Sequence, residues 1–291
     1  MKVGTRESKL AMRQTEIFCD RMASVEPDTV CEIVGMKSLG DIDLKSPLNQ
    51  MSATGAFVRE LDDAILRGDI DCSVNSLKDI PIDVDKGLRI AAMFPRDAPE
   101  DVILPCRLED LPKGAKVGTS SVRRVEMLKE ARPDLEIVPL RGNIHTRLDK
   151  LDKGEFDAII LAKAGLDRMG IERPMAVLDK NRFIPAPAQG IIAVECRIDD
   201  DATTESVRKL DDRTTRIAVG VERGIMKLMG AGCSSPVGIH AEVDGYDVRV
   251  IAVSYGYSET PRRVETVLPT NYVMDDLLDI AEYLTGKRDT I

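Results

Sequence analysis

Apolar residues fall in short runs between polar turns, and their spacing alternates along the chain between a strand-like and a helix-like period. Residues 30–36 read as a strand, and residues 56–67 as a helix with Phe57, Leu61, Ala64 and Ile65 on one face. Residues 70–74 and 88–94 are strand-like again. Lys116-Val117-Gly118 leads into a helix capped at Ser120 or Ser121. Val122, Val125 and Leu128 give that helix its apolar stripe, and it stops at Arg132-Pro133. Residues 135–140 predict a strand, 146–151 a helix, and 158–162 a buried strand. This rhythm predicts α/β domains with mostly parallel sheets, whose sites lie beyond the carboxyl ends of the strands.

Two proline-rich joints interrupt the rhythm, at residues 94–99 and 184–190, and residues 191–196 then return as a strand. The expected layout is two α/β domains crossed twice by the chain, with a cleft between them. Domain 1 takes residues 1–95 and 191–209, and domain 2 takes residues 96–190. The pattern changes after Arg213. A helical stretch to Met229 precedes strand-like runs at 237–243, 248–253 and 264–268, with a last helix at 275–284. Asp244-Gly245 between two of those runs is a hairpin signal. Residues 213–291 are therefore expected to form a third, α+β domain with an antiparallel sheet. No internal repeat is visible.

At 291 residues, 43% hydrophobic and 31% charged, the composition is that of an ordinary globular protein of more than one domain. Met1-Lys2-Val3-Gly4-Thr5 enters a strand at once without a signal-like start, and the apolar runs are strand-length. A cytoplasmic protein with no membrane partner is expected, as a monomer. The six cysteines are scattered without a C-x-x-C, and a reducing compartment makes them neither a disulfide framework nor an obvious zinc site. With two histidines no metal is expected, and acid–base work falls to carboxylates or lysines. The absence of tryptophan and 3% aromatics argue against a nucleic-acid partner.

Charge changes this picture in one place. The chain sums to −9, yet residues 116–147 carry seven Lys/Arg against four Asp/Glu. Arg123, Arg124, Arg141 and Arg147 follow the turn Gly118-Thr119-Ser120-Ser121, where Gly118 permits close backbone approach. Such an island on an acidic chain suits a small polyanion rather than nucleic acid. Four further segments carry chemistry. Asn75-Ser76-Leu77-Lys78-Asp79 follows a strand, Thr5-Arg6-Glu7-Ser8 is a strand-to-helix turn, and Asp167-Arg168 follows residues 158–162. Gly230-Ala231-Gly232-Cys233-Ser234 places a cysteine in an open turn, where it is a candidate nucleophile or attachment point.

Taken in order and spacing, these segments resemble the porphobilinogen deaminase (hydroxymethylbilane synthase) family. The likeness runs from Gly4-Thr5-Arg6 through Lys78-Asp79-Ile80-Pro81, Gly118 to Arg124, Leu140-Arg141-Gly142-Asn143, Thr146-Arg147-Leu148, residues 185–190 and Glu195-Cys196-Arg197 to Gly232-Cys233. The resemblance implies a transferase that joins four porphobilinogen molecules head to tail, releasing ammonia each time, to give hydroxymethylbilane. It implies three domains, the first two arranged as in periplasmic binding proteins. A covalent dipyrromethane cofactor would be held through Cys233, and Asp79 would be the catalytic carboxylate that steadies the azafulvenium-like cation left by ammonia. Ser76, Lys78, Asp79, Thr119, Ser120, Ser121, Arg123, Arg124 and Arg147 match cofactor-contacting positions. Arg6, Ser8, Arg141, Arg147 and Arg168 match substrate-contacting ones. The chain departs from the family pattern at Gln50, Thr54 and Asn75, where basic residues or histidine are frequent. The rival expectation is a non-catalytic solute-binding protein of the same two-domain architecture, which has no use for Cys233.

Overall fold

The computed structural model describes residues 1–37, 58–232 and 234–291, so Gln50, Thr54, Phe57 and Cys233 lie outside the described residues. In chain order the elements begin with β1 (Lys2–Arg6), α1 (Lys9–Val25), β2 (Glu32–Met36), α2 (Arg59–Arg67), β3 (Cys72–Ser76) and β4 (Leu88–Met93). Next come β5 (Asp101–Leu104), β6 (Lys116–Gly118), α3 (Val122–Ala131), β7 (Glu136–Val138), α4 (Ile144–Asp152), β8 (Ala158–Ala162), α5 (Lys163–Arg168) and β9 (Ala176–Val177). The remainder is β10 (Ile192–Arg197), α6 (Asp201–Arg208), α7 (Arg213–Leu228), β11 (Val237–Asp244), β12 (Asp247–Ser254), β13 (Arg262–Pro269) and α8 (Met274–Leu284). The chain divides into two compact units, Met1–Asp97 with Ile191–Arg216, and Ala98–Gly190 with Ile217–Ile291.

The first unit holds a five-stranded sheet in the order β2-β1-β3-β10-β4. β1 is parallel to β2 and β3, whereas β10 is antiparallel to both its neighbours. α1 forms because Ser8 caps it, its Oγ accepting from Ala11 N at 3.3 Å. Ala11, Gln14, Thr15, Phe18 and Met22 make its buried face. Phe18 and Met22 pack with Val3, Val74, Phe94 and Val194 of the sheet. Each such side chain contributes about 1.5–3 kcal/mol on burial. Only the entry turn of α1 is legible in the sequence, because Gln14 and Thr15 interrupt the apolar stripe. α2 buries Leu61, Ala64 and Ile65 against Ile70 and Leu88.

α2 also stores an electrostatic cost. Asp62 Oδ1 is buried without a hydrogen-bond partner, and burial, then Asp63, Asp85 and Glu60, push this carboxyl up to about 6. A raised folded pKa means that the folded state holds the proton more tightly, so stability is lost as pH rises through that value. Asp62→Asn is expected to raise the thermal midpoint at neutral pH and to leave it nearly unchanged at about pH 4. Paired melting curves at the two pH values check this.

The second unit's five-stranded sheet runs β7-β6-β8-β5-β9, with β6 parallel to β7 and β8, and β5 antiparallel to β8 and β9. Each large sheet thus has four strands running one way and one reversed, and the reversed strand holds the same place in both. In each, the strand paired in parallel on both sides leads into a serine-capped helix, as Ser121 Oγ accepts from Arg124 N at 3.5 Å. This repeat of topology leaves no trace in the sequence. The unit also contains the antiparallel sheet β11-β12-β13. Ile251, Val253 and Tyr255 share one core with Ile103, Val117, Met127 and Ile160, so the two sheets are welded by common apolar burial. The β11–β12 hairpin turns through Gly245 at φ 61, with Asp244 opposite Asp247. Among the described residues, no helix is long and apolar enough to cross a membrane.

Candidate active site

In the first unit, the carboxyl ends of the paired strands β1 and β3 bring two sequence-distant segments together. Arg6 is the last residue of β1, and Ser8 begins α1 just beyond it. Ser76 ends β3, and a single 3₁₀ turn, Leu77–Asp79, follows. A pocket here is lined by Arg6, Ser8, Gln14, Asn75, Ser76 and Asp79, with Leu10, Ala11 and Val74 as apolar wall. The turn is held by Leu77 N donating to Ile191 O of the returning chain at 3.0 Å, and by Ile80 N donating to Leu77 O at 3.2 Å. Leu77 and Ile80 are buried on either side, which keeps Lys78 and Asp79 half-buried rather than on a loose surface loop.

Two further residues of the pocket are not among those the sequence singles out for a role. Gln14, at 2% exposure, donates from Nε2 to Ser76 Oγ at 2.8 Å and so fixes the serine. The signal was a polar side chain on the buried stripe of α1. Asn75, noted only as a departure from the family pattern, is buried and donates from Nδ2 to Ser73 Oγ at 2.9 Å. The same amide lies 3.4 Å from the buried Glu195 Oε2. Asn75 therefore joins the pocket floor to β10.

In the second unit, the residues singled out from sequence again follow strand ends. Thr119 to Ser121 follow β6, Arg141 follows β7, Arg147 lies on α4, and Arg168 ends α5. The hydroxyls are engaged in shaping the loops. Ser120 Oγ donates to Leu140 O at 2.9 Å and accepts from Leu140 N at 3.0 Å, tying the two loops together. Thr119 Oγ1 accepts from Ser121 N at 3.3 Å. Arg147 Nε donates to Gly142 O and Arg168 Nη2 to Gly190 O, each at 2.7 Å, which orients both half-buried guanidinium groups. The close approach at Gly118 is to the protein itself, since a Cβ there would stand 2.8 Å from Phe156 Cδ1.

Arg123 and Arg124 have a different setting from the other arginines. They are 3% and 6% exposed, and both pair with Asp101, which is fully buried. Arg124 grips both carboxylate oxygens, with Nη2 2.6 Å from Oδ1 and Nε 3.1 Å from Oδ2. Arg123 Nη2 reaches Oδ2 at 2.7 Å, and Gln189 Nε2 donates to Oδ1 at 2.9 Å. Burial alone pushes the Asp101 carboxyl up, but Arg123 and Arg124 outweigh it and hold the group well below the usual carboxylate range. Much of the two guanidinium groups' donor capacity is thus spent inside the protein, so of the four arginines in the basic stretch 116–147 these two serve an internal ion cluster.

Comparison with known proteins decides the family. The family model described as "Porphobilinogen deaminase, dipyromethane cofactor binding domain" matches residues 1–205, and "Porphobilinogen deaminase, C-terminal domain" matches residues 216–270. The chain belongs to the porphobilinogen deaminase family. It is 43% identical to the porphobilinogen deaminase of Xanthomonas axonopodis pv. citri, over 85% of this chain and 83% of that one. It is 41% identical to that of Stenotrophomonas maltophilia, over 93% and 91%. A probable porphobilinogen deaminase of Picrophilus torridus is 45% identical over 83% and 85%. Among solved structures, a periplasmic substrate-binding protein from Coxiella burnetii is similar over 77% of this chain and 96% of that one, at 13% identity and a TM-score of 0.43. As a member of the porphobilinogen deaminase family the protein is a transferase of tetrapyrrole biosynthesis, and it carries the family's dipyrromethane-binding domain.

The residues present suit such a group. Pyrrole N–H groups need a carboxylate and pyrrole side-chain carboxylates need cations, and the pocket of the first unit offers Asp79 beside Arg6, Ser8 and Ser76. No group of three or more His, Cys, Asp or Glu side chains is placed to hold a metal ion among the described residues.

Proposed function

We propose that the protein is a hydroxymethylbilane synthase, which condenses four porphobilinogen molecules head to tail with loss of one ammonia at each step. The observation that carries this reading is the convergence of Arg6, Ser8, Ser76 and Asp79 on one pocket from two segments more than 65 residues apart in sequence. The match to the porphobilinogen deaminase family models favours the enzyme over a solute-binding protein.

In this reading the bound dipyrromethane supplies the fixed pyrrole end on which the chain grows, joined through Cys233 in the α+β part, residues 213–291, acting as a third domain. Asp79 accepts hydrogen bonds from pyrrole N–H, offsets the positive charge left as ammonia departs, and relays the proton released on coupling. Arg6 meets a carboxylate of the incoming pyrrole, and Ser8 and Ser76 orient it, the latter held by Gln14. Lys78 and Thr119 join Ser120 and Ser121 in shaping the cofactor's surroundings. Arg141, Arg147 and Arg168 bind carboxylates of the pyrrole chain, while Arg123 and Arg124, which donate to Ile184 O and Ile160 O as well as to Asp101, shape the cofactor's surroundings from the buried side. The protein acts as a cytoplasmic monomer on a small molecule, with neither nucleic acid nor membrane as partner.

The intact mass of the purified protein tests this. A mass above that of the polypeptide by one dipyrromethane, mapped to the peptide containing Cys233, together with ammonia release from porphobilinogen, is the expected result. The bare polypeptide mass with no turnover would return the solute-binding reading.

A further inference from the structure

Four of the cysteines, scattered in sequence, meet in the core of the first unit. Ile33 is opposite Val3, Val3 is opposite Cys72, and Cys72 is opposite Cys196, in one row across β2, β1, β3 and β10. Cys31 lies two residues before Ile33 and so shares that row's face, the period of a strand being two. α1 covers this face through Phe18 and Met22, which brings Cys19 to the same cluster. Cys72 and Cys196 are fully buried, and Cys196 Sγ is engaged with Thr204 Oγ1 at 3.2 Å. Cys19 and Cys31 sit as neighbours at the cluster's margin, both half-buried.

We propose that Cys19 and Cys31 are a redox-modifiable dithiol that closes to a disulfide by exchange with a small-molecule disulfide such as oxidised glutathione. One thiol, as its thiolate, attacks the external disulfide and expels one glutathione thiolate. The second protein thiol then attacks the mixed bond at the protein sulfur and expels the other. The two protons lost by the protein leave with the two glutathione molecules, so the exchange balances without any further oxidant. Access decides which pair reacts. A reagent must reach the sulfur, and of the four clustered cysteines Cys19 and Cys31 are partly exposed, whereas Cys72 and Cys196 are fully buried.

The position of the pair fixes the consequence. Cys31 lies at the amino end of β2, which is parallel to β1, while Arg6 and the pocket lie at the carboxyl end of β1. The bond would staple the second half of α1 to the start of β2 across the turn at residues 26–30, leaving the pocket untouched. Burial, and then the neighbouring Cys31, push the Cys19 thiol up to about 12, which makes Cys19 slow as the attacking sulfur at neutral pH.

The test uses the full-length holoenzyme, equilibrated in glutathione buffers of increasing oxidised fraction, then alkylated, reduced and labelled with a second reagent for peptide mapping. The expected result is joint protection of Cys19 and Cys31 from the first reagent and a linked peptide lighter by two hydrogens. A thermal midpoint raised by several degrees and an unchanged turnover rate should accompany it. In Cys19→Ser, Cys31 should be protected only as a glutathione adduct and the gain in midpoint should vanish, and Cys31→Ser gives the mirror result if Cys19→Ser does not fold. Full alkylation of both thiols in the most oxidising buffer would overturn the proposal. So would an intramolecular bond that joins Cys72 to Cys196 instead.

Discussion

Asp79→Asn is expected to leave a folded, cofactor-bearing protein whose ammonia release and bilane formation fall by about 10²–10³. The amide keeps the size of the side chain and still accepts one hydrogen bond from a pyrrole N–H. It carries no negative charge to set against the developing cation, and it relays no proton. The surroundings argue that folding survives the change. Asp79 is the last residue of a turn fixed by backbone bonds at Leu77 and Ile80, and Leu77 and Ile80 supply the buried anchors. If Asp79 were only a turn former, Asn, which suits turns equally well, would leave activity near the wild-type value. Rates at saturating porphobilinogen decide, with the intact mass of the variant showing that the cofactor is in place.

Asp101→Asn should act through stability instead. Asp101 is fully buried and is the common acceptor for Arg123, Arg124 and Gln189. Removing its charge leaves two buried guanidinium groups facing an amide whose NH₂ offers them nothing. Breaking a buried ion pair on one side costs about 3–5 kcal/mol, a large part of the roughly 5–15 kcal/mol that holds a domain folded. The variant is expected to lose that amount in urea unfolding, or to be recovered only as aggregate. The same carboxylate gives the wild type a defined acid response. Its folded pKa is depressed by the two arginines, so its stabilisation is complete above the unfolded value of about 4 and drains away as pH falls through the folded value. Acid unfolding of wild type and Asp101→Asn should therefore converge at low pH, where the wild-type group has also lost its charge. A variant as stable as wild type at neutral pH would show that the Arg123–Arg124–Asp101 cluster contributes no net stability.

The sequence by itself determined the elements whose signals are local. Residues 158–162 form a strand because five apolar residues in a row are long enough for a buried strand and too short for a helix. The helix ending at Arg132-Pro133 stops where proline removes its next donor, and the hairpin turns at Gly245 because a left-handed residue is needed there. The ordered motifs likewise carried the family, and with it Asp79 in the turn just beyond a strand. What the tertiary structure decided concerns partners that are distant in sequence. Periodicity cannot say that Arg123 and Arg124 point inward, because the carboxylate that neutralises them lies 22 and 23 residues away, on a reversed strand. It cannot tell that β5 and β10 are reversed, since a strand's direction depends on which segment arrives beside it. Nor can it show that Gln14 braces Ser76, 62 residues on, or that Cys19 and Cys31 pack against one cluster. Propensity and hydrophobic pattern act over a few residues, whereas charge pairing, cysteine clustering and pocket shape are set by the packing of segments that only the fold brings together.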